Sequence, residues 1–188
     1  MKLCVIGGGT HSNVVIDVAE HVGYNEFYIF DDKKLTFKSY SNKKYIGNIN
    51  KINNYQELDC FIAIGNNLIR KKLFNLCKEK KNKIISLIHP NAYVSKSSKV
   101  GIGSILMPNT VINANSHIKN CCIINTGSTI DHDCIISSFS HIAPGVNIAG
   151  NVKVGSETFV GIGSKIINNI SIRSKSFITA GTIIKKNL

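Results

Sequence analysis

From Val94 to Ile184 every sixth residue is Val, Leu or Ile without exception, through Val100, Leu106, Ile112, Ile118, Ile124, Ile130, Ile136, Ile142, Ile148, Val154, Val160, Ile166, Ile172 and Ile178. A helix returns side chains to one face about every 3.6 residues and a strand about every 2. Neither period gives six. Six-residue self-similarity predicts a parallel β-helix. Four places after each anchor stands mostly a small residue, as at Ser104, Thr110, Ser116, Cys122, Ser128, Cys134 and Ser140, which suits the narrow interior of a tightly turning coil. Three hexapeptides per turn place residues 18 apart one above another, at the ordinary strand spacing of about 4.8 Å. Anchors point inward, so chemistry must come from the faces and corners.

The first half has a different rhythm. Residues 3–6 read as a strand, 7–11 as a loop, 13–22 as a helix with Val14, Val15, Val18 and Val22 on one side, and 27–30 as a second strand ending at Asp31-Asp32. Residues 59–64 and 84–88 read as further strands, with a helix over 68–81 between them. Strand, glycine loop, helix, strand, acid is the order of a Rossmann-like unit. There the loop lets backbone N–H groups approach a phosphate at the helix N-terminus, and the acid accepts from ribose. Gly7, Gly8 and Gly9 supply the loop, although Ser12 stands where a third glycine would complete the fingerprint. A plain glycine turn that binds nothing has the same appearance. His11, at the mouth of the loop, is placed either to donate to a phosphate or sugar hydroxyl or to sit solvated as a helix-cap residue. The predicted architecture is an α/β Rossmann-like domain over residues 1–88 followed by an all-β parallel helix over 89–188.

Composition narrows the setting. No run approaches the roughly 18 apolar residues of a membrane span, and Met1-Lys2 leads straight into a strand, so a soluble, unprocessed cytoplasmic protein is expected. The six cysteines lack CxxC spacing, which argues for buried thiols and against a metal site. The net charge of +12 comes from scattered lysines. Aromatic residues do not interleave with them as a nucleic-acid platform requires, so small anions are the expected partners, the phosphates of a nucleotide and of a coenzyme.

The run from Ile124 to Cys134 carries the chemistry. His132 follows an anchor by two places, hence near a corner and facing outward, with Asp131 and Asp133 beside it. Gly150, 18 residues on, belongs in the coil above. A base beside a bare backbone N–H is the minimum equipment for acyl transfer. His141, beneath Phe159 in the stack, is a candidate for coenzyme contact. The plain alternative for each, as for His117, is a solvent-facing corner histidine.

With these residues in place the chain resembles the NeuD/PglD-type sugar O-/N-acyltransferases, hexapeptide-repeat enzymes with a left-handed β-helix. The resemblance rests on Val5-Ile6-Gly7-Gly8-Gly9-Thr10-His11, Phe30-Asp31-Asp32, Ile88-His89-Pro90-Asn91-Ala92, Ile124-Asn125-Thr126, Asp131-His132-Asp133-Cys134, Phe139-Ser140-His141 and Ala149-Gly150-Asn151-Val152. It implies a homotrimer with acetyl-CoA in the crevice between solenoids and a nucleotide sugar on the N-terminal domain. It further implies His132 as general base, Asp133 as its polarising acid and Asn125 as the residue orienting the acceptor sugar. His11 would touch sugar or phosphate, Asp31 and Asp32 the nucleoside, His141 the coenzyme, and the Gly150 amide the thioester oxygen. No metal is implied. Thr10 and Ser12 replace the glycines usual in the family, and Asp133 is one methylene shorter than the usual Glu. The chain stops at Leu188 without the family's Gly-x-Pro-Ala tail, so coenzyme contacts are expected elsewhere. The resulting expectation is N-acetylation of a nucleotide-linked amino sugar, best matched by UDP-4-amino-4,6-dideoxy-N-acetylglucosamine. O-acetylation of a sialic-acid-like sugar and non-catalytic nucleotide-sugar binding are the alternatives.

Overall fold

The computed structural model describes residues 1–33 and 42–188, so Lys34, among the scattered lysines, lies outside the described residues. The chain divides into two compact units, Met1–Ile85 and Ser86–Leu188.

The first unit is built on a parallel sheet with strand order β3-β2-β1-β4-β5, comprising β1 (Lys2–Ile6), β2 (Glu26–Phe30), β3 (Lys43–Gly47), β4 (Asp59–Ile62) and β5 (Lys83–Ile84). Leu3, Cys4, Val5 and Ile6 are all fully buried. A central parallel strand is covered on both faces and so reads as an unbroken apolar run. Helix α1 (Thr10–His21) lays Val15, Ile16, Val18 and Ala19 against the sheet. It begins earlier than the apolar periodicity indicates, because Gly9 holds an extended N-cap conformation and the chain turns helical at once. Helix α2 (Asn67–Glu79) is capped by Asn66, whose side chain accepts from Ile69 N at 3.1 Å.

Two elements escaped the sequence reading. Strand β3 carries Lys43, Lys44 and Tyr45 with little apolar signal, because it is an edge strand paired only to β2. A 3-10 helix over Ile49–Tyr55 buries Ile52 and sets the Tyr55 ring edge-on to Phe30, centroids 5.3 Å apart. The strand expected over residues 84–88 is really two. Lys83–Ile84 joins β4, whereas Leu87–Ile88 pairs with Ile105–Leu106 in the next unit.

The second unit is a left-handed β-helix of two-residue strands in three parallel sheets of six, five and six strands. The first face runs from Tyr93–Val94 to Ile183–Ile184, the second from Lys99–Val100 to Ser171–Ile172, and the third from Leu87–Ile88 to Phe177–Ile178. Residues 18 apart pair in register, as Ile112 with Ile130 and Ile130 with Ile148. From Leu106 onward every anchor is at most 4% exposed, while Val94 and Val100 are half-buried. Each buried aliphatic side chain contributes about 1.5–3 kcal/mol, so the repeat is its own core.

The small residues four places on do more than fill space. Ser104, Ser116 and Ser140 donate to the carbonyls of Lys119, Asp131 and Gly155 at 2.8, 2.6 and 2.9 Å. Ser98, Ser104 and Ser116 also accept from the amides of Ser116, Cys122 and Cys134 one coil up. Buried backbone groups at the corners are thereby satisfied by a side-chain ladder. From Gly103 to Gly181 the corner residue three places after each anchor, immediately ahead of the small position, adopts the left-handed conformation, including Asn115 (φ 60), Asp133 (φ 58), Asn151 (φ 57) and Asn169 (φ 61) on the corner between first and second faces. Asn and Asp tolerate that conformation better than other non-glycine residues.

Candidate active site

The corner between the first and second faces holds Asp131, His132 and Asp133. The left-handed turn at Asp133 folds its carboxylate back over the histidine, and Asp133 Oδ2 meets His132 Nδ1 at 2.7 Å. Asp is therefore long enough for the role despite lacking a methylene. Its other oxygen accepts from Asn115 Nδ2 at 3.2 Å, one coil below. Asp131 Oδ1 accepts from Asn113 Nδ2 and from the His132 amide, each at 2.9 Å. Both acids are held by amides 18 residues earlier, a spacing the sequence displays and the sequence reading did not use.

The electrostatics follow from these bonds. The hydrogen bond that His132 donates to Asp133, with the charge of Asp131 behind it, raises the His132 pKa above the usual imidazole value. The bonds from His132 and Asn115 lower that of Asp133. With Nδ1–H directed to Asp133, Nε2 is left as the basic nitrogen.

Nε2 faces Gly150. A Cβ on Gly150 would stand 2.6 Å from both Nε2 and Cε1 of His132, so the bare backbone leaves the ring its place. Ala149 stands where Asn113 and Asp131 stand in the coils below. The His132 amide is taken by the Asp131 side chain, but Ala149 has no acceptor to offer, and the Gly150 N–H donates to nothing among the described residues. A hollow of about 470 Å³ beside this corner is lined by Thr129, Asp131, Asn147, Ala149 and Lys165.

Asn125 and His141 form a second cluster. Asn125 Nδ2 lies 3.3 Å from His141 Nε2, and Asn125 Oδ1 accepts from Thr126 N at 2.9 Å. The His141 ring meets Phe159 edge-on at 5.1 Å, and Phe159 stacks on Phe177 at 5.2 Å and 12°. This ladder borders a groove of about 490 Å³ on the third face, with Pro144 and Ile162 on its walls. Asn125 turns the corner between third and first faces, so the His132 cluster and the His141 cluster stand at different corners of the coil.

In the first unit, Gly7 (φ +99) holds a backbone conformation that strains any side chain, and Ala63 O lies 3.1 Å from where a Cβ would stand. Gly8, Gly9, Thr10 and Asn13 line a cavity of about 170 Å³ at the start of α1, whose first turn carries no acidic residue; the positive end of the helix thus faces the cavity. Ser12 takes the third-glycine position without conflict, since its hydroxyl donates to Gly9 O at 2.7 Å. Asp31 serves the loop itself, with Oδ2 accepting from Gly8 N at 2.7 Å and Oδ1 from Lys33 N at 2.8 Å. Asp32 Oδ1 accepts from Ile49 N at 3.0 Å. His11 is half-buried, and desolvation, aided by the nearby Arg70 charge, lowers its pKa and so favours the neutral imidazole. Arg70 was not legible as part of this region. It is 1% exposed, and it binds the carbonyls of Ile64 and Gly65 at 3.0 and 2.9 Å and Asn67 Oδ1 at 2.8 Å. Among the described residues no cluster of His, Cys, Asp and Glu converges as metal ligands, and no helix is long and apolar enough to cross a membrane.

Residues 2–77 match the PglD N-terminal domain family. The UDP-N-acetylbacillosamine N-acetyltransferase of Bacillus subtilis (strain 168) is 32% identical over 107 residues, which are 54% of this chain and 49% of that protein. The match thus spans about half the length of this curated relative. The acetyltransferase domain of PglB from Neisseria gonorrhoeae FA1090, in complex with acetyl coenzyme A, superposes with a TM-score of 0.93 at 35% identity, covering 100% of this chain and 92% of that one. PerB from Caulobacter crescentus, in complex with CoA and GDP-perosamine, does so with a TM-score of 0.91 at 31% identity, covering 100% and 90%.

Proposed function

Because the chain belongs to the NeuD/PglD-type sugar O-/N-acyltransferases, we propose that it moves the acetyl group of acetyl-CoA onto the amine of a nucleotide-linked amino sugar with His132 as general base. It is an acetyl-CoA-dependent sugar acetyltransferase, and a nucleotide-sugar N-acetyltransferase in the same class as the enzymes acting on bacillosamine and perosamine. The acceptor in this proposal is UDP-4-amino-4,6-dideoxy-N-acetylglucosamine, in keeping with the UDP-sugar named for the Bacillus relative.

The observation that carries the mechanism is His132 Nε2 lying over the bare Gly150 backbone while Nδ1 is tied to Asp133 at 2.7 Å. As the sugar nitrogen attacks the thioester carbon, Nε2 takes the amine proton and the Gly150 N–H donates to the oxygen on which charge develops. The C–N bond forms, the C–S bond breaks, and the imidazolium returns its proton to the departing thiolate. The apolar groove along His141, Phe159 and Phe177 suits the coenzyme arm, and the cavity at the start of α1 suits the phosphates of the acceptor.

The two solenoid clusters stand apart, His132 at one corner and His141 on the third face, an arrangement that suits a site shared between copies of the chain. That supports a homotrimer with the coenzyme in the crevice between solenoids. Sedimentation should give a trimer at micromolar concentration; a monomer would contradict the shared site.

The raised His132 pKa sets the pH behaviour. The base works deprotonated, so the acidic limb of kcat/KM should lie above the ordinary imidazole value. Asp133→Asn removes the first cause of the raised value and should move that limb to lower pH while reducing the plateau less than loss of His132 does. An unmoved limb would remove His132 from the titration. In the first unit, Asp32→Ala should weaken the nucleotide sugar about tenfold or more, as expected for a lost hydrogen bond of about 1–3 kcal/mol, with acetyl-CoA little affected. Equal loss for both substrates would remove Asp32 from the acceptor site. Acceptor-dependent thiol release with UDP-, dTDP-, GDP- and CMP-linked amino sugars tests the finer assignment; a GDP-sugar turned over in preference to the UDP-sugar would overturn it.

A further inference from the structure

We infer that Cys134 is a positioning residue for acyl transfer, its thiol holding the Ala149–Gly150 peptide so that the Gly150 N–H faces the reacting thioester; the inference rests on the acetyl-transfer reading above. Cys134 is fully buried, behind the His132 corner, and touches no substrate. Its Sγ donates to Ala149 O at 3.2 Å, with His132 O farther off at 3.6 Å, and accepts from Val152 N at 3.4 Å. The carbonyl of Ala149 and the N–H of Gly150 belong to one planar peptide and point in opposite directions. A donor holding the carbonyl inward therefore holds the N–H outward.

The same column of the solenoid shows what this bond does elsewhere. Ser98 and Ser116 hold the carbonyls of Asn113 and Asp131 at 2.6 Å. In the Asp131–His132 peptide the outward N–H is closed off by the Asp131 side chain at 2.9 Å. In the next coil alanine precedes the glycine, so no side chain closes off the outward N–H, which lies beside the His132 ring. One coil above Cys134 the position is Val152, also fully buried. The fold accordingly accepts an aliphatic residue with no donor at this position. The structure needs a small or branched side chain there, and the donor matters where its peptide faces the chemistry. Cys134 and Gly150 are therefore read as one device, the thiol behind the peptide and the amide in front of it.

The test compares the full chain with Cys134→Ser, Cys134→Val and Cys134→Ala. Two readouts are used: steady-state kinetics and the infrared carbonyl stretch of bound acetyl-CoA. The stretch needs no acceptor sugar. Wild type should lower the thioester carbonyl frequency on binding, and Cys134→Ser, which restores the donor used at Ser116, should lower it likewise. Cys134→Val and Cys134→Ala should return the frequency toward that of free acetyl-CoA and cut kcat about tenfold, a fraction of the loss on deleting an oxyanion donor. Both KM values should stay within about twofold, and the oligomer and the melting temperature should stay close to wild type for at least one of the two variants. Retained frequency and kcat in Val and Ala variants overturn the proposal alone, as does equal loss in the Ser variant. A wild-type frequency unmoved on binding overturns the placement of Gly150 against the thioester, and this proposal with it.

Discussion

His132→Ala is expected to cut turnover about 10²–10⁴-fold at saturating substrates, the usual contribution of a positioned general base. The attacking group is an amine that must lose a proton as the C–N bond forms. Nδ1 of His132 is fixed by Asp133, and that carboxylate is itself steadied by Asn115. The ring is exposed, with 58% of its side-chain surface accessible. Its removal therefore exposes no core, and the fold and the affinity for acetyl-CoA should persist. Retention of more than about a tenth of wild-type turnover would reject general-base catalysis here and leave the rate to positioning alone.

Gly150→Ala should be the second most damaging single change, lowering turnover about a hundredfold, comparable to loss of one aligned catalytic group. Gly150 has no positive φ, so the backbone admits alanine without strain, yet the added Cβ would lie 2.6 Å from His132 Nε2. The ring must swing away, breaking its 2.7 Å bond to Asp133 and misplacing the base. The N–H itself remains in the variant, so the loss should appear in kcat with coenzyme binding nearly intact. Wild-type kcat in Gly150→Ala would show that Nε2 does not work in the position described.

The solenoid was legible because its signal is local and repeated. Each anchor from Leu106 to Ile184 is buried as the period requires, and the pairing of residues 18 apart follows from three hexapeptides per turn. The same arithmetic placed Gly150 over His132. It equally places Asn113 beside Asp131 and Asn115 beside Asp133, two supports that the sequence states as plainly once residues 18 apart are compared. The small residues read as fillers of a narrow interior, but their hydroxyls and thiols also hold backbone groups; polarity at a buried position is the sign that separates the two roles.

The first unit was less legible where structure depends on partners distant in sequence. Strand β3 is a polar edge strand, formed because β2 offers it a ladder. Asp31 has the position expected of a ribose ligand, yet it also latches the glycine loop through Gly8 N at 2.7 Å, a contact no local pattern announces. Arg70 comes to the region of His11 only through the turn between β4 and α2.

General-base acetyl transfer by His132 is tested most directly by following CoA thiol release from acetyl-CoA with UDP-4-amino-4,6-dideoxy-N-acetylglucosamine, wild type beside His132→Ala, with the sugar product identified by mass. Rapid, acceptor-dependent release by wild type, an N-acetylated product and loss of about 10²-fold or more in the variant are the expected result. No acceptor-dependent release with any nucleotide-linked amino sugar, or equal release by the two proteins, would contradict it.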